Sequence, residues 1–124
     1  MNRLLIGIFI ALFCGLVGGH LITKYLLTSE TISPDYVRVT IINSSGKIIK
    51  KVKLEYESGT YEITKLLDKN ETKVIFRNAG EGSYKVTANF ENDSTLSTKG
   101  SYIEGGYRMT ETITNTEIKT TYDK

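Results

Sequence analysis

The sequence is poor in the residues on which many cross-links and catalytic sites depend. Its 124 residues include one cysteine, one histidine, one proline and no tryptophan. One cysteine cannot form an internal disulfide, and a single cysteine and histidine are too few for a structural zinc site. Both residues, Cys14 and His20, lie in an apolar N-terminal stretch, so the rest of the chain lacks the side chains for Ser-His or Cys-His catalysis. The hydrophobic content of 40% excludes a disordered or Pro-rich chain.

That apolar stretch predicts a membrane anchor. Residues 4–23 read LLIGIFIALFCGLVGGHLIT, without a formal charge, and lie between Arg3 and Lys24. A helix of twenty residues spans roughly 30 Å, which is the thickness of a bilayer core. We therefore expect residues 1–28 to form a single-pass transmembrane signal-anchor helix. The positive charge at the N-terminus favours a cytoplasmic N-terminus and an extracytoplasmic remainder.

Two other interpretations of the same stretch are open. It is consistent with a cleaved signal peptide whose cleavage site lies at residues 17–19. The apolar stretch resumes at residues 21–22, which favours the retained anchor. Lipoprotein processing at Cys14 needs a small residue where the sequence has the bulky Phe13.

Small residues recur every four positions in the expected helix. Gly7, Ala11, Gly15 and Gly19 form a stripe that would allow close approach of a second transmembrane helix. The stripe predicts a homo-oligomer or a partner helix in the membrane. The plain alternative is that glycine is common in membrane helices and signal peptides.

The remainder of the chain has the pattern of an all-β domain. Residues 29–35 are short and polar and carry the only proline, so we expect a linker there. From Tyr36 onward, alternating runs are broken by turn residues every eight to twelve positions. The predicted strands cover residues 36–42, 48–57, 60–66, 72–77, 83–90, 94–99 and 107–119. We expect residues 36–124 to form an antiparallel β-sandwich of about seven strands outside the cytoplasm.

Alternation within these runs identifies the expected core. In the second run, even positions such as Ile48 and Tyr56 are expected to face inward. The Tyr84 hydroxyl is expected to close a corner of the fold. The side chains that we expect in the core are Val39, Ile41, Val52, Leu54, Phe76, Tyr84, Val86 and Phe90.

Two segments resemble known bacterial sequences. Residues 82–88, GSYKVTA, lie within residues 66–90, which resemble bacterial extracytoplasmic immunoglobulin-like and transthyretin-like modules. The resemblance implies a β-sandwich in which this strand is the penultimate one. Residues 101–114, SYIEGGYRMTETIT, resemble the end of a group of small, uncharacterised bacterial proteins with one N-terminal apolar segment. Neither resemblance implies a catalytic residue.

The densest cluster of polar and aromatic residues lies near the C-terminus. Because Tyr and Arg are enriched at protein interfaces, we interpret this cluster as a candidate partner surface. The plain alternative is a turn followed by a solvated strand edge with an Arg–Glu surface pair. The residues of the candidate surface are Tyr102, Glu104, Tyr107, Arg108 and Glu111.

The charge distribution argues against nucleic-acid binding. Without Arg3 and Lys24, the 16 basic residues become 14, which equals the number of acidic residues. The lysines at positions 47, 50, 51 and 53 are interpreted as the solvated face of one strand, not as a basic groove. Three Asn-X-Ser/Thr sequons, at Asn43, Asn70 and Asn92, lie in predicted turns.

These observations favour a non-catalytic, membrane-anchored binding or assembly module of the cell envelope, without cofactor or metal. Its expected location is the bacterial inner membrane, with the domain in the periplasm, and its expected partner is a protein or a second copy. The alternative is a secreted or periplasmic β-sandwich with a cleaved signal peptide that binds a small ligand or carbohydrate. A carboxylate-based hydrolase is a third and less favoured class.

Overall fold

The computed structural model describes residues 33–123. The expected helix within residues 1–28, its stripe of Gly7, Ala11, Gly15 and Gly19, and most of the expected linker lie outside this range. Within the described range, no helix is long and apolar enough to cross a membrane.

Residues 33–123 form nine strands, two more than expected. The seventh strand lies in a segment where the sequence predicted none. The last expected run is interrupted at Thr114, whose amide donates to the Glu117 carbonyl at 2.9 Å and closes a turn. The strands are β1 Tyr36–Asn43, β2 Ile49–Tyr56, β3 Gly59–Leu66, β4 Glu71–Arg77, β5 Glu81–Phe90, β6 Thr95–Ser97, β7 Ser101–Glu104, β8 Arg108–Ile113 and β9 Ile118–Tyr122.

The strands are divided between two sheets that share one core. The four-stranded sheet has the order β4-β1-β8-β9, and in the five-stranded sheet β3, β2 and β5 are followed by β6 and β7, which both pair with β5. The expectation of a wholly antiparallel sandwich is wrong at one pair, because β1 and β8 are parallel. The chain crosses to the other sheet between them, and a long crossover permits parallel pairing where a hairpin does not.

The core confirms the alternation that the sequence predicted. All eight expected core residues are buried in the described structure. In β5, buried and outward positions alternate from Tyr84 to Phe90, as expected for a strand with one face against a core. Eight further apolar side chains complete the core, namely Val37, Ile49, Leu66, Val74, Ala88, Ile103, Met109 and Ile113.

A register shift in β2 changes one inward position. Ile49 lies opposite Phe90 and Lys51 lies opposite Asn89, so Lys50 is an extra residue in the pairing with β5. Such a bulge reverses the inward and outward positions on its two sides. Ile49 is fully buried in place of Ile48, for which the prediction was wrong.

Aromatic rings join the two sheets at one end of the core. Tyr56 of β2 stacks on Phe76 of β4 with ring centroids 4.2 Å apart. Phe76 contacts Tyr84 edge-on at 6.4 Å, and Tyr61 stacks on Tyr56 at 5.9 Å. Because these rings come from both sheets, they fix the distance between the sheets at this end.

Asn43 is a buried structural residue and not a turn residue open to glycosylation. Its side-chain amide donates to the carbonyls of Lys47 at 2.8 Å and Leu66 at 2.9 Å. Its Oδ1 accepts the Ser45 amide at 3.0 Å and the Ser45 hydroxyl at 2.6 Å. The sequon at this position is therefore blocked in the folded domain, because the nitrogen that would carry a glycan is fully buried.

The core predicts a sharp contrast between two aliphatic substitutions. Leu54→Ala empties a fully buried site and should lower the free energy of unfolding by about 2–5 kcal/mol. Ile75→Ala, at a side chain that is 47% exposed, should cost well under half as much. Urea denaturation followed by circular dichroism measures both. Equal losses for the two variants would contradict the assignment of the core.

Candidate functional site

Three tyrosines meet at one end of the domain, and we call them the tyrosine patch. Tyr102 lies on β7, Tyr107 directly precedes β8, and Tyr122 ends β9. The ring of Tyr107 meets the rings of Tyr102 and Tyr122 edge-on, with centroids 6.3 and 6.1 Å apart. Tyr102 is 44% exposed and Tyr122 is 52% exposed. The patch therefore presents a continuous aromatic surface to solvent.

A tight turn between β7 and β8 fixes the position of Tyr107. A Cβ atom at Gly105 would lie 2.1 Å from the carbonyl oxygen of Pro34, so only glycine fits there. Gly106 has a φ of 88° and donates its amide to the Tyr36 carbonyl at 2.8 Å. The Tyr107 amide donates to the Glu104 carbonyl at 3.1 Å. The turn is thus held against the start of β1.

Polar groups border the patch. The Tyr102 hydroxyl donates to the carboxylate of Glu104, and this hydrogen bond raises the pKa of Tyr102. The Tyr122 hydroxyl donates to the carbonyl of Tyr102 at 3.4 Å, which links β9 to β7 across the sheet boundary. Asp123 accepts hydrogen bonds of 3.1 and 3.2 Å from the Thr110 hydroxyl. The border thus offers carboxylates beside the aromatic rings.

An open pocket lies against the tyrosine patch. Its volume is about 430 Å³, within the range of small-molecule and peptide side-chain sites. It combines aromatic walls with one cation and one carboxylate. Its lining consists of Gly106, Tyr107, Arg108, Tyr122 and Asp123.

The structure brings four of the five predicted surface residues together at this end of the domain and places the fifth in the core. Tyr102, Glu104, Tyr107 and Arg108 lie at or beside the turn between β7 and β8. Glu111 is fully buried, so its assignment to a partner surface was wrong. Alternate residues of β8 point inward, and Glu111 lies on this inward face together with Met109 and Ile113.

Glu111 belongs instead to a buried hydroxyl cluster formed with Tyr84, Ser101 and Thr120. Its carboxyl group accepts a hydrogen bond from the Tyr84 hydroxyl, and this bond joins the two sheets. Thr120 donates to it at 2.9 Å, and Ser101 lies at 3.5 Å. Burial raises the pKa of Glu111, and the three hydroxyl groups offset part of that effect. Burial likewise raises the pKa of Tyr84.

Tyr122 and Asp123 were missing from the predicted site. The pairing of β9 with β8 places Tyr122 opposite Met109 and next to Tyr107, although the sequence separates them by fifteen positions. The alternating pattern at the C-terminus predicted a strand there, but it did not show which strand it pairs with. Among residues 33–123, no group of three or more His, Cys, Asp or Glu side chains is arranged to hold a metal ion.

The lysines of β2 lie on a solvated face, as the sequence indicated. Lys51 pairs with Glu62 of β3 at 3.3 Å, and Lys53 pairs with Glu55 at 2.6 Å. Both lysines thus lie beside a carboxylate. The mixture of signs on this face differs from the single-sign groove that binds nucleic acid.

Comparison with known proteins supports the fold alone. No protein-family model and no curated protein matches the sequence. The structure is similar to that of a protein from Eubacterium rectale determined by NMR, with 14% sequence identity and a TM-score of 0.56. The similarity covers 73% of this chain and 90% of that chain. The chain therefore shares an all-β fold with a bacterial protein.

The buried carboxyl group predicts a specific pH dependence of stability. Because the native pKa of Glu111 is raised, the folded state holds this proton at pH values where the unfolded state has lost it. Its contribution to stability is complete below the unfolded pKa, about 4.3, and declines as the pH rises toward the native pKa. Glu111→Gln should remove this decline while keeping an acceptor for Tyr84.

The measurement is the difference in unfolding free energy between wild type and Glu111→Gln from pH 4 to pH 8. We expect the variant to gain stability relative to wild type as the pH rises. A difference that is independent of pH would show that Glu111 does not titrate as this environment requires. Glu62→Gln, at a half-exposed carboxylate on β3, serves as the control and should leave the wild-type profile nearly unchanged.

Proposed function

We propose that the chain is a non-catalytic binding module and that the tyrosine patch, with Glu104, Arg108 and Asp123, is its partner surface. The observation that carries the proposal is the convergence of three tyrosines from three separate elements beside an open pocket. Tyrosine and arginine supply large contact area with polar tips, and they dominate the binding energy of many interfaces. A protein partner of the cell envelope, or a second copy of the chain, fits this surface.

We also propose that residues 1–28 anchor this module in a membrane, with residues 29–35 as the linker. The uncharged stretch of residues 4–23 is long enough for one crossing. The charge bias at the N-terminus supports an extracytoplasmic domain in a bacterial envelope. The stripe of small residues within the anchor supports association of two helices in the membrane.

The strand order favours the transthyretin-like of the two resemblances. In an immunoglobulin domain, the first two strands are neighbours in one sheet. Here β1 and β2 belong to different sheets, and β1 lies between β4 and β8. The strand that carries the GSYKVTA motif is β5, which four strands follow, and not the penultimate strand that the resemblance implied. We therefore propose a transthyretin-like sandwich.

A second candidate function follows from the pocket. A secreted or periplasmic form with a cleaved signal peptide would use the same surface to bind a small ligand or carbohydrate. The pocket of about 430 Å³ has aromatic walls for stacking, and its Arg108 and Asp123 can form hydrogen bonds with hydroxyl groups. In this form the tyrosine patch would contact the ligand directly.

Loss of the exposed tyrosines tests the binding surface. A partner captured by the detergent-solubilised full-length protein should bind at least tenfold more weakly to the double variant Tyr102→Ala, Tyr122→Ala. Tyr61→Ala is the matched control, because Tyr61 is 40% exposed but lies on β3 outside the patch. Unchanged binding by a folded double variant, measured by titration, would exclude the patch as the partner surface.

Fractionation tests the anchor separately. The full-length protein should remain in the membrane pellet after carbonate extraction. Mass spectrometry of the mature protein should find its N-terminal segment intact. A mature protein that begins near His20 and is released into the soluble fraction would replace the anchored form with the secreted one.

A further inference from the structure

The outward face of the four-stranded sheet carries an excess of positive charge, and we call it the basic face. Val37, Val39 and Ile41 of β1 are fully buried, so the intervening positions of this strand point outward. Among the outward positions of the four strands, Glu71 is the only acidic residue. The basic residues at these positions are Arg38, Lys73, Arg77, Arg108 and Lys119.

The strand register places these cations side by side. Arg38 lies opposite Arg108 of β8 on one side and opposite Ile75 of β4 on the other. One position earlier on this face, Arg77 lies opposite Tyr36, and one position later Lys73 lies opposite Thr40. The positive groups thus occupy neighbouring rows of one sheet.

The other sheet shows no such excess. Its paired outward positions carry three lysines and four glutamates, so charges of both signs are mixed on this face. Lys50 lies at the register shift between β2 and β5, and Lys65 has a positive φ of 59°, so neither lysine is counted among these paired positions. A chain that is formally neutral after its N-terminal stretch therefore has one face with an excess of positive charge.

Three carboxylates outside the strands lie at the basic face. Asp123 accepts hydrogen bonds from the outward-facing Thr110. Asp35 lies 3.9 Å from Arg77, and Glu117 lies 3.3 Å from Lys119; the side chains of both ion pairs are more than half exposed. Ion pairs this exposed are weak in water, so a surface of higher negative charge density can compete with them.

The chain enters the domain at the same end of this sheet. Arg38 is near the start of β1, Arg77 ends β4, and Arg108 begins β8. Under the proposed anchor, the linker of residues 29–35 can extend at most about 25 Å. The three arginines would consequently stay within reach of the membrane surface that the anchor occupies.

We propose that the basic face docks onto anionic phospholipid headgroups of the membrane that holds the anchor, so that the four-stranded sheet lies against the bilayer. This inference rests on the proposed anchor, which confines the domain to the surface. Clustered basic residues next to a membrane segment are attracted to anionic lipid within about a Debye length. Thr112, opposite Lys119, offers a hydroxyl group to phosphate oxygens.

Site-specific quenching tests this docking with the full-length chain. Single cysteines replace Thr40 on the basic face or Thr87 on the opposite face, in a Cys14→Ser background, and carry a fluorophore. Both threonines are half-buried at the centre of their strands, so the two positions are matched. The chain is reconstituted in phosphatidylcholine vesicles with or without phosphatidylglycerol, and a nitroxide on the lipid headgroup is the quencher.

In anionic vesicles, quenching at position 40 should exceed quenching at position 87 at least threefold. The difference should vanish in 0.5 M NaCl, which screens the attraction, and in neutral vesicles. Lys73→Glu with Arg77→Glu should abolish it. Lys85→Glu with Lys99→Glu, at exposed lysines outside the basic face, should leave it intact.

Equal quenching at the two positions in anionic vesicles would overturn the proposal. A difference in quenching that persists in the Lys73→Glu, Arg77→Glu variant would also overturn it. Flotation separates this failure from a failure of the anchor. An inserted helix holds the chain to neutral vesicles, whereas the basic face does not. Loss of flotation with neutral vesicles would therefore reject the anchor, while unequal quenching in anionic vesicles would still support the face.

Discussion

The carboxyl group of Glu111 is buried between two sheets because hydroxyl groups from both sheets reach it. Tyr84 donates from the five-stranded sheet, and Thr120 donates from the neighbouring strand of its own sheet. Burying a carboxyl group without such hydrogen bonds would destabilise the fold by more free energy than most single contacts contribute. A slip of β8 by one residue would expose its apolar side chains and remove this acceptor from the core. The same register decides which residues of β8 and β9 form the tyrosine patch and the basic face.

Features that depend on local alternation were predictable from the sequence, and features that depend on long-range pairing were not. Val86 and Phe90 could be assigned to the core because buried and outward positions alternate without interruption in β5. The same reasoning failed at Ile48, because the bulge at Lys50 appears only in the pairing with β5. Glu111 was misplaced because a charged residue in an alternating run suggests a solvent face, whereas its hydroxyl partners lie on three other strands that only the fold brings together. The four-residue strand β7 was too short to produce a recognisable period.

The distribution of charge has the same origin. Counting charges along residues 28–124 gives a neutral sum, and this sum discourages any electrostatic interpretation. Successive residues of a strand point to opposite sides, and the strands are divided between two sheets. The charges therefore collect into one basic face and one face of mixed sign. The candidate partner surface was partly visible, because Tyr102 and Tyr107 are close in sequence. Tyr122 joins them through the pairing of β9 with β8, which only the folded chain reveals.

The parallel pairing of β1 with β8 has a consequence for the order of folding. Synthesis starts at the N-terminus, so β1 and its antiparallel neighbour β4 can pair early. The other edge of β1 stays unpaired until residues 108–113 have been made. Pairing of segments so distant along the chain is slow, since the intervening loop must close first. During synthesis or export, β1 therefore has one unpaired edge for most of the time. Exposed strand edges are the sites at which chains aggregate. A truncation that removes β8 and β9 would leave this edge of β1 open permanently.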